Sequence, residues 1–199
     1  ADDMRRVKIW KDELTAILAP AATNDWFAAA LGIPCQLVYM SKPNGRALKS
    51  AYGRPEDGLS FADGAPATLI SSESLAELNQ RLEQSVEMKR FRPNFVVTAG
   101  TAFAEDRWLR IRIGSAEFEV AWPCTRCVIP TVDPATGKQD PLGEPIVTLN
   151  TFRLSPSGVT LGQNLIPRRL GRVQVGDSVE IVESSDHEER DTRYPPSPT

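Results

Sequence analysis

Two cysteines three positions apart are the residues whose type and spacing most clearly allow chemistry. They are Cys124 and Cys127, in the stretch WPCTRCVIPTVDPATG, and Cys35 is the third cysteine of the chain. Such a pair can bind zinc, exchange disulfides, ligate a redox metal or fill a core. Structural zinc needs four nitrogen or sulfur ligands, and the single histidine, His187, stands near the end of the chain. This ligand count disfavours zinc and leaves the other roles open.

The residues after the pair bear on the choice between disulfide exchange and other roles. A thioredoxin-type pair lies at the start of a helix, whose dipole lowers the pKa of the thiol. Here Val128, Ile129 and Pro130 favour an edge strand instead, and we predict one over residues 126–132. Disulfide exchange is therefore the weaker alternative.

Positive charge near Cys127 is the argument for a reactive thiol. Arg126 is its neighbour, and Arg92 would also stabilise a thiolate if the fold brings it close. The sequence VDPATG, residues 132–137, predicts a turn, so the predicted strand would end in a loop where a site is easily built. The opposing interpretation is that both cysteines are small buried packing groups, as free cysteines often are. The residues alone leave both interpretations open.

The elements that must position the pair are mostly short strands separated by glycine-containing turns. The clearest is a hairpin at residues 107–122, in which apolar residues alternate with arginines and glutamates around Gly114-Ser115. A second hairpin is predicted at residues 171–183, with Gly176-Asp177 at its turn. The pattern favours a strongly bent sheet or β-barrel with helices packed outside it. Strands are predicted within residues 4–10, 35–40, 67–83, 88–97, 107–122, 126–132, 159–166 and 171–183.

Two helices are predicted. The first, at residues 20–32, starts beside a proline, stops at a glycine and carries Trp26 in its apolar stripe. The second follows a strand within residues 67–83, and either Ser71 or Ser72 can cap its N-terminus. Both helices are short, which agrees with a mainly β chain.

Composition limits the class of protein. The chain has 199 residues, enough for one sizeable domain or for one small domain and part of another. A net charge of −3 provides no basic field, so no nucleic acid partner is expected. No apolar run approaches the roughly 18 residues of a membrane helix, so no membrane partner is expected. The absence of a signal-peptide pattern and the low cysteine content predict a cytoplasmic setting.

Two segments are expected to lack regular structure. Residues 41–66 are rich in glycine, proline and serine and predict a long loop. Residues 184–199 contain no aliphatic side chain and predict a disordered tail.

Several longer motifs together resemble a known family. LSFADGAPATLISSESLAELNQRL, FRPNFVV, PCTRCVIPTVDPATG, LGQNLI and GRVQVGDSVEI follow one another between residues 59 and 182. They are similar to the MOSC domain, named for the C-terminal part of molybdenum cofactor sulfurase. Within that superfamily they most resemble the bacterial proteins that detoxify N-hydroxylated bases and the mitochondrial amidoxime-reducing component. The resemblance implies a mainly β fold of the α+β type, a MOSC-type β-barrel with peripheral helices.

The same resemblance implies three regions. Residues 1–58 would be a partial N-terminal region, the end of an N-terminal MOSC-associated β-barrel domain with its linker. Residues 59–183 would be the MOSC domain, and residues 184–199 the tail. A Lys-Ser pair and an arginine that contact the cofactor in full-length relatives are not found at the corresponding place.

The resemblance assigns the two cysteines different roles. In these reductases the second cysteine of C-x-R-C ligates molybdenum, which implies Cys127 as the metal ligand and catalytic residue. A soft thiolate suits a soft, redox-active metal that is already held by the dithiolene sulfurs of molybdopterin. Cys124 would lie beside the ligand, and Arg126 would add positive charge at the cofactor.

The resemblance also implies a cofactor cradle outside the cysteine pair. An arginine suits the phosphate because its planar fork donates two hydrogen bonds, and an aspartate would accept from pterin N–H groups. For the aspartate and the LGQN residues, an ordinary turn is the competing interpretation. The implied cradle residues are Phe61, Asp63, Gly64, Arg92, Asn94, Gly162, Gln163 and Asn164.

The activity implied is a two-electron reduction of an N–O bond in a small N-hydroxylated substrate. No cysteine follows Cys127, so an iron–sulfur module is not expected in this chain and electrons must come from an external donor, a flavin reductase or iron–sulfur protein. The alternative is a non-catalytic module that binds or carries the molybdenum cofactor or transfers sulfur. The family is also associated with pyridoxal phosphate binding.

Overall fold

The computed structural model describes residues 3–40, 45–48 and 53–185. The chain divides into two compact units, and each is described by itself. The first comprises Ala1–Lys49 with Gly53–Gly64, and the second comprises Ser50–Tyr52 with Ala65–Thr199. Strands predominate over helices, so the predicted mainly β class is confirmed. Part of the predicted loop 41–66 and nearly all of the predicted tail lie outside the described residues.

The first unit is built on a three-stranded sheet. Strands β1 (Met4–Ile9) and β2 (Asp12–Leu18) form an antiparallel hairpin, and β2 also pairs with β3 (Val38–Tyr39). Helix α1 (Ala21–Leu31) connects β2 to β3, and β4 (Arg46–Ala47) pairs with β5 (Gly58–Leu59). The last pair lies within the predicted loop, so that loop contains a small hairpin.

Helix α1 begins after Pro20 and ends at Gly32, as predicted, but its apolar stripe is not its buried face. Trp26 is 65% exposed, and Asn24 is the buried residue of the helix. The amide of Asn24 donates to the carbonyl of Ala19 at 2.9 Å, and its oxygen accepts from the backbone N–H of Leu37 at 2.8 Å. A polar side chain therefore ties this helix to the segments on either side of it.

The second unit is a curled, half-barrel sheet with helices around it. Six strands follow the order β12-β8-β9-β11-β6-β7, and β10 pairs with β11 beside this path. Only the β6–β7 pair is parallel among the described strand pairs. The elements are β6 (Ala67–Ser71), α2 (Ser72–Asn79), β7 (Phe95–Val97), β8 (Trp108–Ile113), β9 (Ala116–Thr125), α3 (Ile146–Phe152), β10 (Leu154–Ser155), β11 (Gly158–Arg169) and β12 (Val179–Ser184), with single turns of 3₁₀ helix at Met88–Arg90, Ala104–Arg107 and Ile129–Thr131.

Two hydrophobic clusters form because successive strand residues point to opposite faces of the sheet. On β6, Leu69 joins the cluster that contains Ile111 and Leu165, whereas Ile70 joins the cluster packed under helix α2. Both residues are fully buried. The sheet is therefore covered on both faces.

The cap of helix α2 confirms one of the two predicted candidates. The side chain of Ser71 accepts from the backbone N–H of Ser74 at 3.1 Å. The hydroxyls of Ser71 and Ser74 also donate to the buried carboxylate of Glu105, at 2.9 and 2.7 Å respectively. This network fixes the junction between β6 and the helix.

Three predictions along the second unit need correction. Residues 126–132 are not a strand: β9 ends at Thr125, a loop follows, and Ile129–Thr131 form a 3₁₀ turn. Residues 171–183 are not a hairpin, because β12 pairs with β8 from the earlier hairpin. Helix α3 lies in a β-branched segment that does not predict a helix. The strand that pairs with β12 lies far away in sequence, where local patterns carry no information. The 3₁₀ turn is instead closed by local hydrogen bonds, such as that from the Thr131 N–H to the Val128 carbonyl.

Candidate functional site

The cysteine pair lies where strand β9 gives way to a loop. Cys124 is half-buried and is the residue before the last one of the strand, and Cys127 is an exposed free thiol in the loop. The backbone N–H of Arg126 donates to the carbonyl of Val159 on β11 at 2.8 Å, which holds the start of the loop to the sheet. Val128 beside the thiol is also exposed. Cys127 is therefore presented on a loop with an anchored beginning.

Arg126 links this loop to a second one. Its Nη1 donates to Cys124 Sγ at 3.1 Å, and its Nη2 donates to the carbonyl of Phe91 at 2.6 Å. The guanidinium also lies over the Phe91 ring, 5.4 Å from the centroid. Because Arg92 follows directly, the FRPN and C-x-R-C motifs are neighbours in the fold.

The two thiols differ in environment. Burial raises the pKa of the Cys124 thiol, while the charge and hydrogen bond of Arg126 act against this and the nearby Cys127 adds to it. A raised pKa favours the neutral thiol, which is a poor metal ligand. This difference supports the separate roles that the resemblance implied for the two cysteines.

In the FRPN turn the arginine side chain is exposed and the asparagine side chain is hydrogen-bonded within the fold. Arg92 is exposed and adopts a left-handed backbone, with φ of 52°, which is uncommon for a residue other than glycine. Asn94 Oδ1 accepts from the backbone N–H of Thr68 at 2.9 Å. The backbone N–H of Asn94 donates to the carbonyl of Thr68, also at 2.9 Å. The asparagine thus ties the turn to β6, and the arginine side chain faces solvent.

The LGQN residues lie in the middle of strand β11. Gly162 has a φ of 78°, and a Cβ there would overlap the carbonyl oxygen of Leu69 on β6. The close approach that requires glycine is therefore to a neighbouring strand. Asn164 is buried, and its Nδ2 donates to the carbonyl of Pro123 at 3.4 Å.

Gln163 belongs to a buried polar network that sequence reasoning missed. Its Nε2 donates to Asp106 Oδ1 at 2.7 Å, and Arg153 donates to both oxygens of the same carboxylate. Gln163 is only 3% exposed. Asp106 lies on the 3₁₀ turn before β8 and Arg153 directly follows helix α3, so both segments meet the LGQN strand at this carboxylate.

The remaining cradle residues, Phe61, Asp63 and Gly64, belong to the first compact unit, and all three are exposed. Asp63 Oδ1 accepts from the indole N–H of Trp10 at 3.0 Å. Its neighbour Ala62 accepts through its carbonyl from Arg46 Nη1 at 2.5 Å. Within this unit, the SFADG segment is therefore held by both the β1–β2 turn and β4. The second unit brings together Arg92, Asn94, Cys124, Arg126, Cys127, Gly162, Gln163 and Asn164.

The chain is similar to one protein family and to several known proteins. The family model described as MOSC domain matches residues 56–180. Mitochondrial amidoxime-reducing component 1 of Mus musculus is 36% identical over 160 residues, which cover 74% of this chain and 46% of that protein. Mitochondrial amidoxime-reducing component 1 of Homo sapiens is 34% identical over 173 residues, which cover 81% of this chain and 51% of that protein. Mitochondrial amidoxime reducing component 2 of Rattus norvegicus is 38% identical over 170 residues, which cover 77% of this chain and 49% of that protein. The crystal structure of YiiM from Geobacillus stearothermophilus matches with a TM-score of 0.44 and 16% identity, over 60% of this chain and 55% of that one.

The chain belongs to the MOSC domain family. It is homologous to the amidoxime-reducing components, which confirms the resemblance inferred from its motifs. The chain spans about half the length of the relatives it matches, between 46 and 51%. Among the described residues, no helix is both long enough and apolar enough to cross a membrane.

Proposed function

We propose that this chain is the MOSC part of a molybdenum-cofactor-dependent reductase, which reduces the N–O bond of small N-hydroxylated compounds with electrons from an external redox partner. The observation that carries the proposal is the exposed thiol of Cys127, on a loop that Arg126 bonds to the turn containing Arg92. Homology to the amidoxime-reducing components supports the substrate class.

The donor chemistry at Cys127 fits this cofactor. Molybdopterin supplies its own sulfur ligands to the metal, so the protein needs to provide a single thiolate. Cys127 is exposed and can provide it, whereas Cys124 is half-buried and its Sγ already accepts from Arg126. When bound, the cofactor would supply the two-electron centre that accepts the substrate oxygen.

The residues around the thiol would hold the organic part of the cofactor. Arg92 has an exposed guanidinium that can donate two hydrogen bonds to a phosphate. Asn94 uses Oδ1 within the fold, which leaves its Nδ2 as the donor for a ligand. Gln163 and Asn164 commit their amide nitrogens to Asp106 and Pro123, so their contribution would come from the amide oxygens.

Phe61, Asp63 and Gly64 of the first unit are proposed as further cofactor-binding residues, as the resemblance implies. The Oδ1 of Asp63 accepts from Trp10, and the second carboxylate oxygen would accept from a pterin N–H group. Residues 59–183 are proposed as the extent of the MOSC domain and the cytoplasm as the compartment. A flavin reductase or an iron–sulfur protein would be the donor.

The test is to make the whole protein in cells that synthesise the cofactor and to measure molybdenum by elemental analysis. Turnover of an amidoxime and of an N-hydroxylated base is then measured with reduced methyl viologen, so that the natural donor is not needed. We expect about one molybdenum per chain and, for Cys127→Ser, a loss of turnover of at least about 100-fold. Cys35→Ser, at a free thiol in the other unit, is the matched control and should keep its activity.

Two outcomes would contradict the proposal. Normal turnover by Cys127→Ser would remove the assigned ligand from the mechanism. Molybdenum binding without reduction of either substrate would favour a carrier or sulfur-transfer module instead.

A further inference from the structure

Arg126 makes its side-chain contacts within the protein, and we propose that it is a positioning residue that fixes the Cys127 loop against the turn at residues 91–94. The inference rests on the proposed function, because it concerns how the thiolate of that site is placed. It also changes the role expected for Arg126, from a charge directed at Cys127 or the cofactor to a bridge between two loops.

The bridge is defined by two hydrogen bonds from different nitrogens of one guanidinium. Nη1 donates to Cys124 Sγ at 3.1 Å, and Nη2 donates to the Phe91 carbonyl at 2.6 Å. Because the guanidinium is planar and rigid, one acceptor at the end of β9 and one on the turn at residues 91–94 fix both its position and its plane. The Phe91 ring, 5.4 Å from the guanidinium carbon, adds a cation–π contact on one face.

The third nitrogen, Nε, is buried and has no hydrogen-bond partner among the described residues. The side-chain hydrogen bonds of Arg126 therefore come from Nη1 and Nη2. A guanidinium held in this way is not free to turn towards a ligand without losing the bridge.

The main chain completes the argument. The backbone N–H of Arg126 donates to the Val159 carbonyl at 2.8 Å, so the residue before Cys127 is fixed through both its backbone and its side chain. Cys127 itself is exposed and can reach a ligand. In this arrangement Arg126 positions the loop, and Cys127 is the residue that would bind the metal.

The first experiment uses the protein without cofactor and alkylates it with iodoacetamide at one fixed pH, with the rate at each cysteine followed by mass spectrometry. In the unaltered protein we expect Cys127 to react at least about tenfold faster than Cys124. In Arg126→Lys, which keeps the positive charge, Cys124 should react about tenfold faster than before, because lysine cannot span both acceptors. Arg126→Gln also removes the charge that lowers the pKa of Cys124, so its readout is the molybdenum content. Arg90→Lys is the matched control, since Arg90 lies on the adjacent 3₁₀ turn with only a 3.9 Å ion pair to Asp133, and it should leave both rates unchanged.

The second readout is the molybdenum content of the same variants made with cofactor. Both Arg126 variants should hold at least about tenfold less molybdenum, as expected when a supporting residue of a metal site is removed. Wild-type rates and content in Arg126→Lys, with losses only in Arg126→Gln, would show that charge alone matters and would overturn the proposal. Unchanged behaviour of both variants would overturn it as well.

A measurement on the unaltered protein covers the case in which the variants do not fold. In NMR spectra of ¹⁵N-arginine-labelled protein, the Arg126 guanidinium protons should exchange slowly with water, and exchange as fast as that of an exposed arginine would overturn the bridge. If the alkylation pattern and the exchange are as expected while the unaltered protein binds no molybdenum, the proposed function fails and the bridge stands. If the unaltered protein binds molybdenum and the Arg126 variants match it in every readout, the bridge fails alone.

Discussion

Arg153 and Asp106 form a bidentate ion pair in which both side chains are only 4% exposed, with distances of 2.8 and 3.1 Å. The same carboxylate accepts from Gln163 on β11 at 2.7 Å. The guanidinium of Arg153 also lies 4.3 Å from the centroid of the Phe103 ring. One buried carboxylate therefore joins the 3₁₀ turn before β8, the end of α3 and the LGQN strand.

Removing the charge of Asp106 should destabilise the protein strongly. Asp106→Asn leaves the buried guanidinium of Arg153 without a counter-ion, and breaking such a pair costs about 3–5 kcal/mol. Urea denaturation gives the free energy of unfolding. Glu13→Gln, which breaks the exposed pair with Arg6, is the control and should change it by less than about 0.5 kcal/mol. Equal effects of the two substitutions would show that the buried network is unimportant.

Gly162→Ala should destabilise the protein more than the same substitution at another glycine with positive φ. Gly162 has a φ of 78°, and an added Cβ would overlap the carbonyl of Leu69 and lie 2.5 Å from Ile70 Cγ1. Gly176 has a φ of 94° and nothing within 4 Å of the added atom, so Gly176→Ala tests the backbone cost alone. We expect about 1 kcal/mol for Gly176→Ala and at least about 3 kcal/mol for Gly162→Ala. Thermal unfolding of the two variants measures the difference, and equal losses would contradict the steric argument.

Glu73 should make stability depend on acid pH. The backbone N–H of Ala99 lowers the pKa of its carboxyl from the ordinary value of 4.5, helped by its own N–H, that of Gly100 and the hydroxyl of Ser72, whereas burial opposes the shift. Because the folded pKa is the lower one, the stabilisation is complete above the ordinary value and is lost as the pH falls through the folded value. The difference in free energy of unfolding between the unaltered protein and Glu73→Gln should therefore be constant near neutral pH and shrink below about pH 4.5. A difference that does not vary with pH would contradict this.

Cys124 should titrate above the ordinary range of a thiol. Burial raises its pKa from the ordinary value of 9.0, so the folded protein keeps the thiol neutral to higher pH than the unfolded chain. The pH profile of alkylation at Cys124, resolved by mass spectrometry, should have its midpoint above 9.0 in the folded protein and near 9.0 in urea. Coincident midpoints in the two states would argue against burial of this thiol.

Local patterns predicted much of the fold correctly. Alternation around Gly114-Ser115 predicted the β8–β9 hairpin, in which Arg112 and Glu117 pair at 3.3 Å. Pro20 and Gly32 predicted the ends of α1, and Ser71 caps α2. These features depend on a few adjacent residues, and those residues are enough to determine them.

The two errors have different causes. The segment at 171–183 contains turn and strand residues, yet β12 pairs directly with β8, from which β9, β10 and β11 separate it along the chain. The stretch after Cys124 has β-branched residues, yet it forms a 3₁₀ turn whose Thr131 carbonyl accepts from Asp140 at 2.8 Å. Long-range pairing overrides the local pattern in the first segment, and local hydrogen bonds override strand propensity in the second.

For the candidate site, the sequence by itself determined which residues are available: the second cysteine of C-x-R-C, the arginine of FRPN and the glycine of LGQN. Family membership also follows from these motifs. Only the tertiary structure decided how they are used, because hydrogen bonding depends on what lies within about 3 Å in space. In the folded protein, Arg126 donates to Cys124 and Phe91, and Gln163 donates to Asp106. It also brought the backbone of Leu69 against Gly162, a contact that no spacing along the chain contains.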